Sequence, residues 1–191
     1  MDYKKYKALI FDCDGTLVDS MPAHYLAWEA TMNKYDIGFS EERFYALAGV
    51  NPENVVKILA DESGISLDAY AVAMEKEDCY QNEYFDRVTA IDRVVKIAET
   101  YKDYGPMAVG SGSGREIVEK SLAKIGILDW FDVLVCSEDV LNPKPAADVF
   151  LQGAKVLEVS PSDCCVFEDA DLGVKAAETA GMDVVDIRTW E

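Results

Sequence analysis

Four consecutive apolar residues, Ala8-Leu9-Ile10-Phe11, end abruptly in Asp12-Cys13-Asp14-Gly15-Thr16. An apolar run without alternation predicts a parallel strand covered on both faces, with the charged turn at its carboxyl end. The period then changes. Met21 to about Tyr35, Glu41–Leu47, Glu53–Ala60 and Leu67–Tyr84 carry apolar residues at helical rather than alternating spacing, and Gly38, Gly49 and Gly64 punctuate them. Pro22 suits the first turn of its helix. No strand signal is expected from residue 21 to about 105. A connection that long cannot be a loop in a compact fold, so it is expected to be a structured insert. Strands resume at Met107–Gly110 and alternate with helices: Arg115–Lys124, strand Val133–Cys136, Ala146–Leu157, strand Cys164–Phe167, Leu172–Thr179 and strand Val184–Ile187. That alternation predicts an α/β fold with a doubly wound parallel sheet. The expected division is a discontinuous core, 1–18 and 88–191, with a small all-helical domain, 19–87, inserted after the first strand.

Composition narrows the partners. The 191 residues suffice for a good core plus an insert, and half of them are hydrophobic. A formal net charge of −18 argues against nucleic acid and anionic membranes as partners. The same charge repels phosphorylated ligands, so a phosphate site needs local cations of its own. No apolar run approaches the roughly 20 residues of a spanning helix. The start, Met1-Asp2-Tyr3-Lys4-Lys5, lacks the apolar region of a signal peptide. The five cysteines are scattered without zinc-like spacing, and Cys164-Cys165 lie in an apolar strand, where packing is their expected role. A reducing cytoplasm is the simplest compartment for such a chain.

Chemistry-bearing residues recur where strands end. Asp12 and Asp14 repel each other unless a cation joins them or one keeps its proton. The first solution suits a hard ion such as Mg²⁺, the second an acid and a nucleophile with separated pKa values; a third reading is simple capping of a turn. The second strand ends in Gly110-Ser111-Gly112-Ser113-Gly114, where a hydroxyl and free N–H groups at a helix start make a phosphate seat. Such turns also occur merely as turns. Lys144 stands between Pro143 and Pro145, which limit where it can point, although a solvated lysine is the default for an isolated one. Glu168-Asp169-Ala170-Asp171 holds more carboxylates than a helix cap needs, and they are stable together only beside a cation.

The string Phe11-Asp12-Cys13-Asp14-Gly15-Thr16-Leu17-Val18-Asp19-Ser20 resembles the first motif of the haloacid dehalogenase-like phosphohydrolases. Ser111, Lys144 and Glu168/Asp169 follow in the order of that family's remaining motifs, and the likeness covers the whole chain, including the size and place of the insert. It implies a Rossmann-like core with a helical cap of the type inserted after the first motif. Within the family the chain resembles the sugar-phosphate phosphatases and β-phosphoglucomutases. Pro106 to Ser113, Val166 to Asp171 and Ala180 to Arg188 look like the bacterial fructose-1-phosphate phosphatases, whose members also accept 6-phosphogluconate.

The resemblance implies a mechanism. Asp12 attacks phosphorus to give an aspartyl-phosphate, and Asp14 protonates the departing sugar oxygen and later takes a proton from water. Mg²⁺ is held by Asp12, the backbone carbonyl of Asp14, Glu168 and Asp169, while Ser111, Gly112 and Lys144 hold the phosphoryl group. The cap is expected to choose the substrate, a small phosphorylated sugar, and the protein is expected to act as a monomer. His24 matches a cap-hinge histidine that approaches substrate or general acid; a helix-surface histidine is the alternative. Lys76, in Glu75-Lys76-Glu77-Asp78, matches a cap lysine facing the active site; a solvated helix face is the alternative. Gly49 matches a cap-loop glycine that lets backbone approach the substrate, whereas Trp28 and Tyr25 fit helix packing.

Two departures and three rivals complete the reading. After Gly49-Val50-Asn51 the chain has Pro52 where the mutases carry an arginine for a second phosphate, which favours hydrolysis over phosphoryl return. Lys144-Pro145-Ala146-Ala147-Asp148 departs only mildly from the usual Lys-Pro-Ala-Pro-Asp. β-Phosphoglucomutase shares every core residue and is the alternative enzyme. A receiver-type signalling domain also combines acids, a hydroxyl and a lysine, but has no helical cap after its first strand. A non-catalytic binding protein would not be expected to keep Asp12, Asp14, Lys144 and Asp169 together.

Overall fold

The computed structural model describes residues 3–190; residues 1, 2 and 191, which fall within the expected core, lie outside that range. The chain opens with β1 (Ala8–Phe11) and a two-residue strand, β2 (Val18–Asp19). Four helices follow: α1 (Met21–Asn33), α2 (Glu41–Ala46), α3 (Pro52–Ser63) and α4 (Ala69–Cys79). A second short strand, β3 (Thr89–Ala90), leads into α5 (Asp92–Tyr101), β4 (Met107–Gly110), α6 (Arg115–Lys124) and β5 (Val133–Val135). Then come α7 (Asp148–Val156), β6 (Cys164–Glu168), α8 (Asp171–Thr179) and β7 (Asp183–Asp186).

β1 is the middle of a five-stranded sheet of order β5-β4-β1-β6-β7, in which every pairing is parallel. All four β1 residues are buried, as a strand with covers on both faces requires. Ala8 and Ile10 join a core with Phe150 and Ala154 of α7 and with Ala176 and Ala177 of α8. On the opposite face the Phe11 ring stacks on Phe167 at 4.7 Å and meets Phe131 edge-on at 6.0 Å. The expected doubly wound parallel sheet is therefore present. Register sets up the chemistry: Phe11 pairs with Val109 of β4 and Phe167 of β6, so Asp12, Gly110 and Glu168 stand level at one edge of the sheet.

The chain separates into two compact units, Ser20–Val88 and the remainder. The helical unit has a core of its own around Trp28, Met32, Phe39, Phe44, Val56 and Leu59. Its helix starts follow local chemistry: Ser40, Asn51 and Asp68 each accept a hydrogen bond from the backbone N–H three residues on. Each such cap contributes about 1 kcal/mol.

Some boundaries differ from expectation. The helix expected to run to Tyr84 stops at Cys79 and continues as a π-helical turn, Tyr80–Tyr84. The interval expected to lack strands contains β3, which pairs antiparallel with β2, Val18 opposite Ala90 and Asp19 opposite Thr89. Two residues are too few to display a period, so the pairing alone makes the strand. α5 is an addition to the expected elements, with Val94, Ala98 and Tyr101 buried along one face. No helix among the described residues is long and apolar enough to cross a membrane. All five cysteines are buried and unbridged.

Candidate active site

At the carboxyl edge of the sheet a buried lysine meets two buried carboxylates. Lys144 Nζ donates to Asp12 Oδ1 at 2.7 Å and to Glu168 Oε1 at 2.6 Å. The second oxygen of Glu168, Oε2, accepts from the backbone N–H of Ala170 at 2.7 Å. Asp169 Oδ1 accepts from Thr16 Oγ1 at 3.0 Å, which ties the turn after β1 to the turn after β6. Two glycines make this closeness possible. A methyl group at Gly15, which has φ +85°, would fall 2.2 Å from Asp169 Oδ2, and one at Gly173 would fall 1.7 Å from Glu168 Oε1. Only residues without Cβ let the turn and α8 approach the carboxylates so closely.

The electrostatics point to a missing positive charge. Burial drives the Asp12 carboxyl well above the usual carboxylate range; Lys144 pulls it down, while Glu168 and Asp169 push it up. Asp169 is pushed up to about 7, chiefly by burial and then by Glu168. Burial alone would lower the ammonium of Lys144, but the charges of Asp12 and Glu168 outweigh that and hold it above its ordinary value. One lysine therefore does not neutralise the group. Ligand oxygens of Asp12, Glu168 and Asp169 all lie within 4.8 Å of one another, and a set of hard oxygen donors with excess negative charge fits a divalent cation such as Mg²⁺.

Asp14 is directed elsewhere. Its Oδ2 accepts from Ser113 Oγ at 2.6 Å, and its carboxylate is not among the three that converge. Ser111 follows β4 directly, is buried, and through its Oγ accepts from the N–H of Ser113 at 3.0 Å. Gly112 is exposed, with open space beside its Cα. Thr16, Ser113 and Gly173 complete this edge without having been singled out from sequence for these contacts. Thr16 and Ser113 lay inside quoted motifs; Gly173 had no local signal, because what presses on it comes from β6.

The helical unit corrects two alternatives. His24 is 8% exposed and does not lie on a helix surface; its ring stacks on Tyr80 at 3.8 Å. Lys76 is 3% exposed, not solvated: Nζ lies 2.8 Å from His24 Nδ1 and 3.1 Å from Glu77 Oε2, over the rings of Tyr80 and Trp28. Lys76 and His24 thus form one buried pair. Gly49 is exposed at φ +82° in the turn after α2. In the same turn Asn51 and Pro52 start α3, Asn51 Oδ1 accepting from Asn54 N at 2.9 Å.

Comparison with known proteins assigns this arrangement to a family. Residues 6–181 match the model of the haloacid dehalogenase-like hydrolases. The chain belongs to that family. A fructose-1-phosphate phosphatase of Escherichia coli K12, YqaB, is 37% identical over 97% of this chain and 98% of its own length. The β-phosphoglucomutase of Bacillus subtilis is 29% identical over 95% of this chain and 83% of its own. Among solved structures, the β-phosphoglucomutase of Clostridium difficile superposes with a TM-score of 0.81 at 25% identity, covering 94% of this chain and 83% of that one. The haloacid dehalogenase-like fold expected from sequence is thereby established, and with it a hydrolase-family enzyme.

Proposed function

We propose that this haloacid dehalogenase-like hydrolase is a Mg²⁺-dependent phosphatase of small sugar phosphates such as fructose 1-phosphate or 6-phosphogluconate. The observation that carries the reading is Lys144 bridging Asp12 and Glu168 within a cluster of carboxylates still short of positive charge. Lys144 holds Asp12 Oδ1, which leaves Oδ2 to bond phosphorus as the bond to the sugar oxygen breaks. Asp14 gives that oxygen its proton and later takes one from the water that frees the phosphate. Asp12, the Asp14 carbonyl, Glu168 and Asp169 would hold the metal, which supplies charge for the phosphoryl oxygens when bound. The hydroxyl of Ser111, the N–H of Gly112 and the ammonium of Lys144 orient that group. Specificity is assigned to the helical unit through Gly49, His24 and Lys76. The reading includes a monomer in the cytoplasm.

Hydrolysis is favoured over isomerisation by the turn Gly49-Val50-Asn51-Pro52, where Asn51 and Pro52 serve a helix start and none of the four residues is a cation that could grip a second phosphate. The test incubates the protein with Mg²⁺ and a panel of sugar phosphates, following phosphate release and, in parallel, conversion of β-glucose 1-phosphate to glucose 6-phosphate. Phosphate release led by a sugar phosphate and abolished by Asp12→Asn is the expected result. Isomer conversion with little free phosphate would overturn the hydrolase reading.

A further inference from the structure

We propose that Ser113 is a positioning residue that holds Asp14 for proton transfer, an inference that rests on the general-acid reading of Asp14. Its hydroxyl donates to Asp14 Oδ2 at 2.6 Å across 99 residues of sequence. That is at the short end of the range for hydroxyl hydrogen bonds to oxygen. Ser113 is itself braced at both backbone groups: its N–H donates to Ser111 Oγ at 3.0 Å and its carbonyl accepts from Ser137 N at 3.1 Å. Asp14 rises from a tight turn in which Gly15 N donates to Val18 O at 2.8 Å and Leu17 N to Cys13 O at 3.0 Å. The hydroxyl and the carboxylate are thus presented to each other from two fixed loops.

The sequence offers two hydroxyls in Ser111-Gly112-Ser113, of which Ser111 is the one expected to hold phosphate. The structure separates them. A serine hydroxyl has one proton, and Ser113 commits it to Asp14, so what it would turn toward a phosphoryl oxygen is a lone pair. Ser111 keeps its own proton, because its Oγ is the acceptor in its bond with Ser113 N. With Oδ2 held by Ser113, the proton that Asp14 carries resides on Oδ1. As the phosphorus–oxygen bond of the substrate breaks, that proton passes to the departing sugar oxygen, and Oδ1 later receives a proton from the attacking water. Loss of the tether leaves Asp14 chemically intact but removes the bond that fixes Oδ2, and a misplaced acid costs about 10²-fold in rate.

The test uses two kinds of leaving group. Alkoxide departure from a sugar phosphate requires the acid, whereas the phenolate of p-nitrophenyl phosphate leaves without it. Ser113→Ala is expected to lower kcat about 10²-fold on the best sugar phosphate and less than about threefold on p-nitrophenyl phosphate. Ser113→Thr, which keeps a hydroxyl, restores most of the loss and controls for folding. In an Asp14→Asn background Ser113→Ala should cost less than about twofold more, since residues acting as a unit are not additive. Equal losses on both substrates, or additive losses with Asp14→Asn, would overturn the proposal while leaving the phosphatase reading intact. If Asp14→Asn fails to discriminate between the substrates, the general-acid assignment itself falls, and the Ser113 proposal with it.

Discussion

Replacing Lys144 by methionine keeps the length of the side chain and removes its charge. The lysine side chain is 4% exposed, and those of its partners Asp12 and Glu168 are 9% and 1% exposed. Deleting one partner of a buried ion pair costs about 3–5 kcal/mol, because the remaining charge stays in a medium that solvates it poorly. Here two carboxylates are stranded with Asp169 beside them, so the upper end of that range applies, against a total stability of about 5–15 kcal/mol. The loss depends on pH. The Asp12 carboxyl already stands above its ordinary range through burial, and without Lys144 it moves higher. A group whose folded pKa is raised above its unfolded value stabilises the fold when protonated, and that contribution is lost as pH rises through the folded pKa. The deficit of Lys144→Met relative to the native chain should therefore be smaller at acid pH and larger at alkaline pH, because the raised carboxyl of Asp12 ionises between them. Urea unfolding followed by circular dichroism in EDTA reads both limits. A loss below about 1 kcal/mol, or one of equal size at the two pH values, would refute the electrostatic account of this cluster.

Two further outcomes follow from contacts at and behind the same edge. Gly173→Ala puts a methyl group where Glu168 Oε1 now lies, so Glu168 must withdraw from Lys144; activity should fall about 10²-fold with an overpacking cost of about 1–3 kcal/mol, read by phosphate release and thermal unfolding. Unchanged activity would mean that Glu168 does not position Lys144. All five thiols are buried, and burial pushes Cys164 up to about 11 and Cys165 and Cys136 to about 12, so iodoacetamide at about pH 8 should label none of them in the folded protein and all five in urea. Rapid labelling of the native chain would contradict the burial of these thiols.

The sheet was legible because its strands are short apolar runs that end in polar residues, and that signal is local. Ala8–Phe11 needs no partner to be read as a buried strand, and the carboxyl ends of β1, β4 and β6 mark the chemical edge by the residues that follow. β3 was not legible: Thr89 and Ala90 are a strand only because Val18 and Asp19 pair with them, some seventy residues earlier. α5 carried a readable helical pattern in Val94, Ala98 and Tyr101, spaced four and three residues apart, and stands outside the expected elements although its signal is local. The end of α4 at Cys79 was hidden for the opposite reason. The residues that follow continue to wind, as a π-helical turn, so helical spacing persists where the helix stops.

The site shows the same division more sharply, and Lys76 is its clearest case. Acidic neighbours on both sides describe a solvated lysine, yet its ammonium is buried against His24, 52 residues away, and over the rings of Tyr80 and Trp28. A residue's sequence neighbours report its own strand or helix; its partners across the fold decide its burial. Glu168 makes the point in the core. Its place beside Asp169 reads as a metal ligand, but its oxygens already accept from Lys144 and from Ala170 N, so under the proposed mechanism one carboxylate would serve both a cation and the lysine that holds Asp12. Charge alone says of Asp12 and Asp14, two residues apart, only that a cation must join them or one must keep its proton, and their different roles are what the resemblance implies. The fold makes them different by giving Asp12 to a lysine from the turn before α7 and Asp14 to a serine from the turn after β4. The separate roles proposed for them, nucleophile and acid, thus lean on partners 132 and 99 positions away, which the motif itself does not contain.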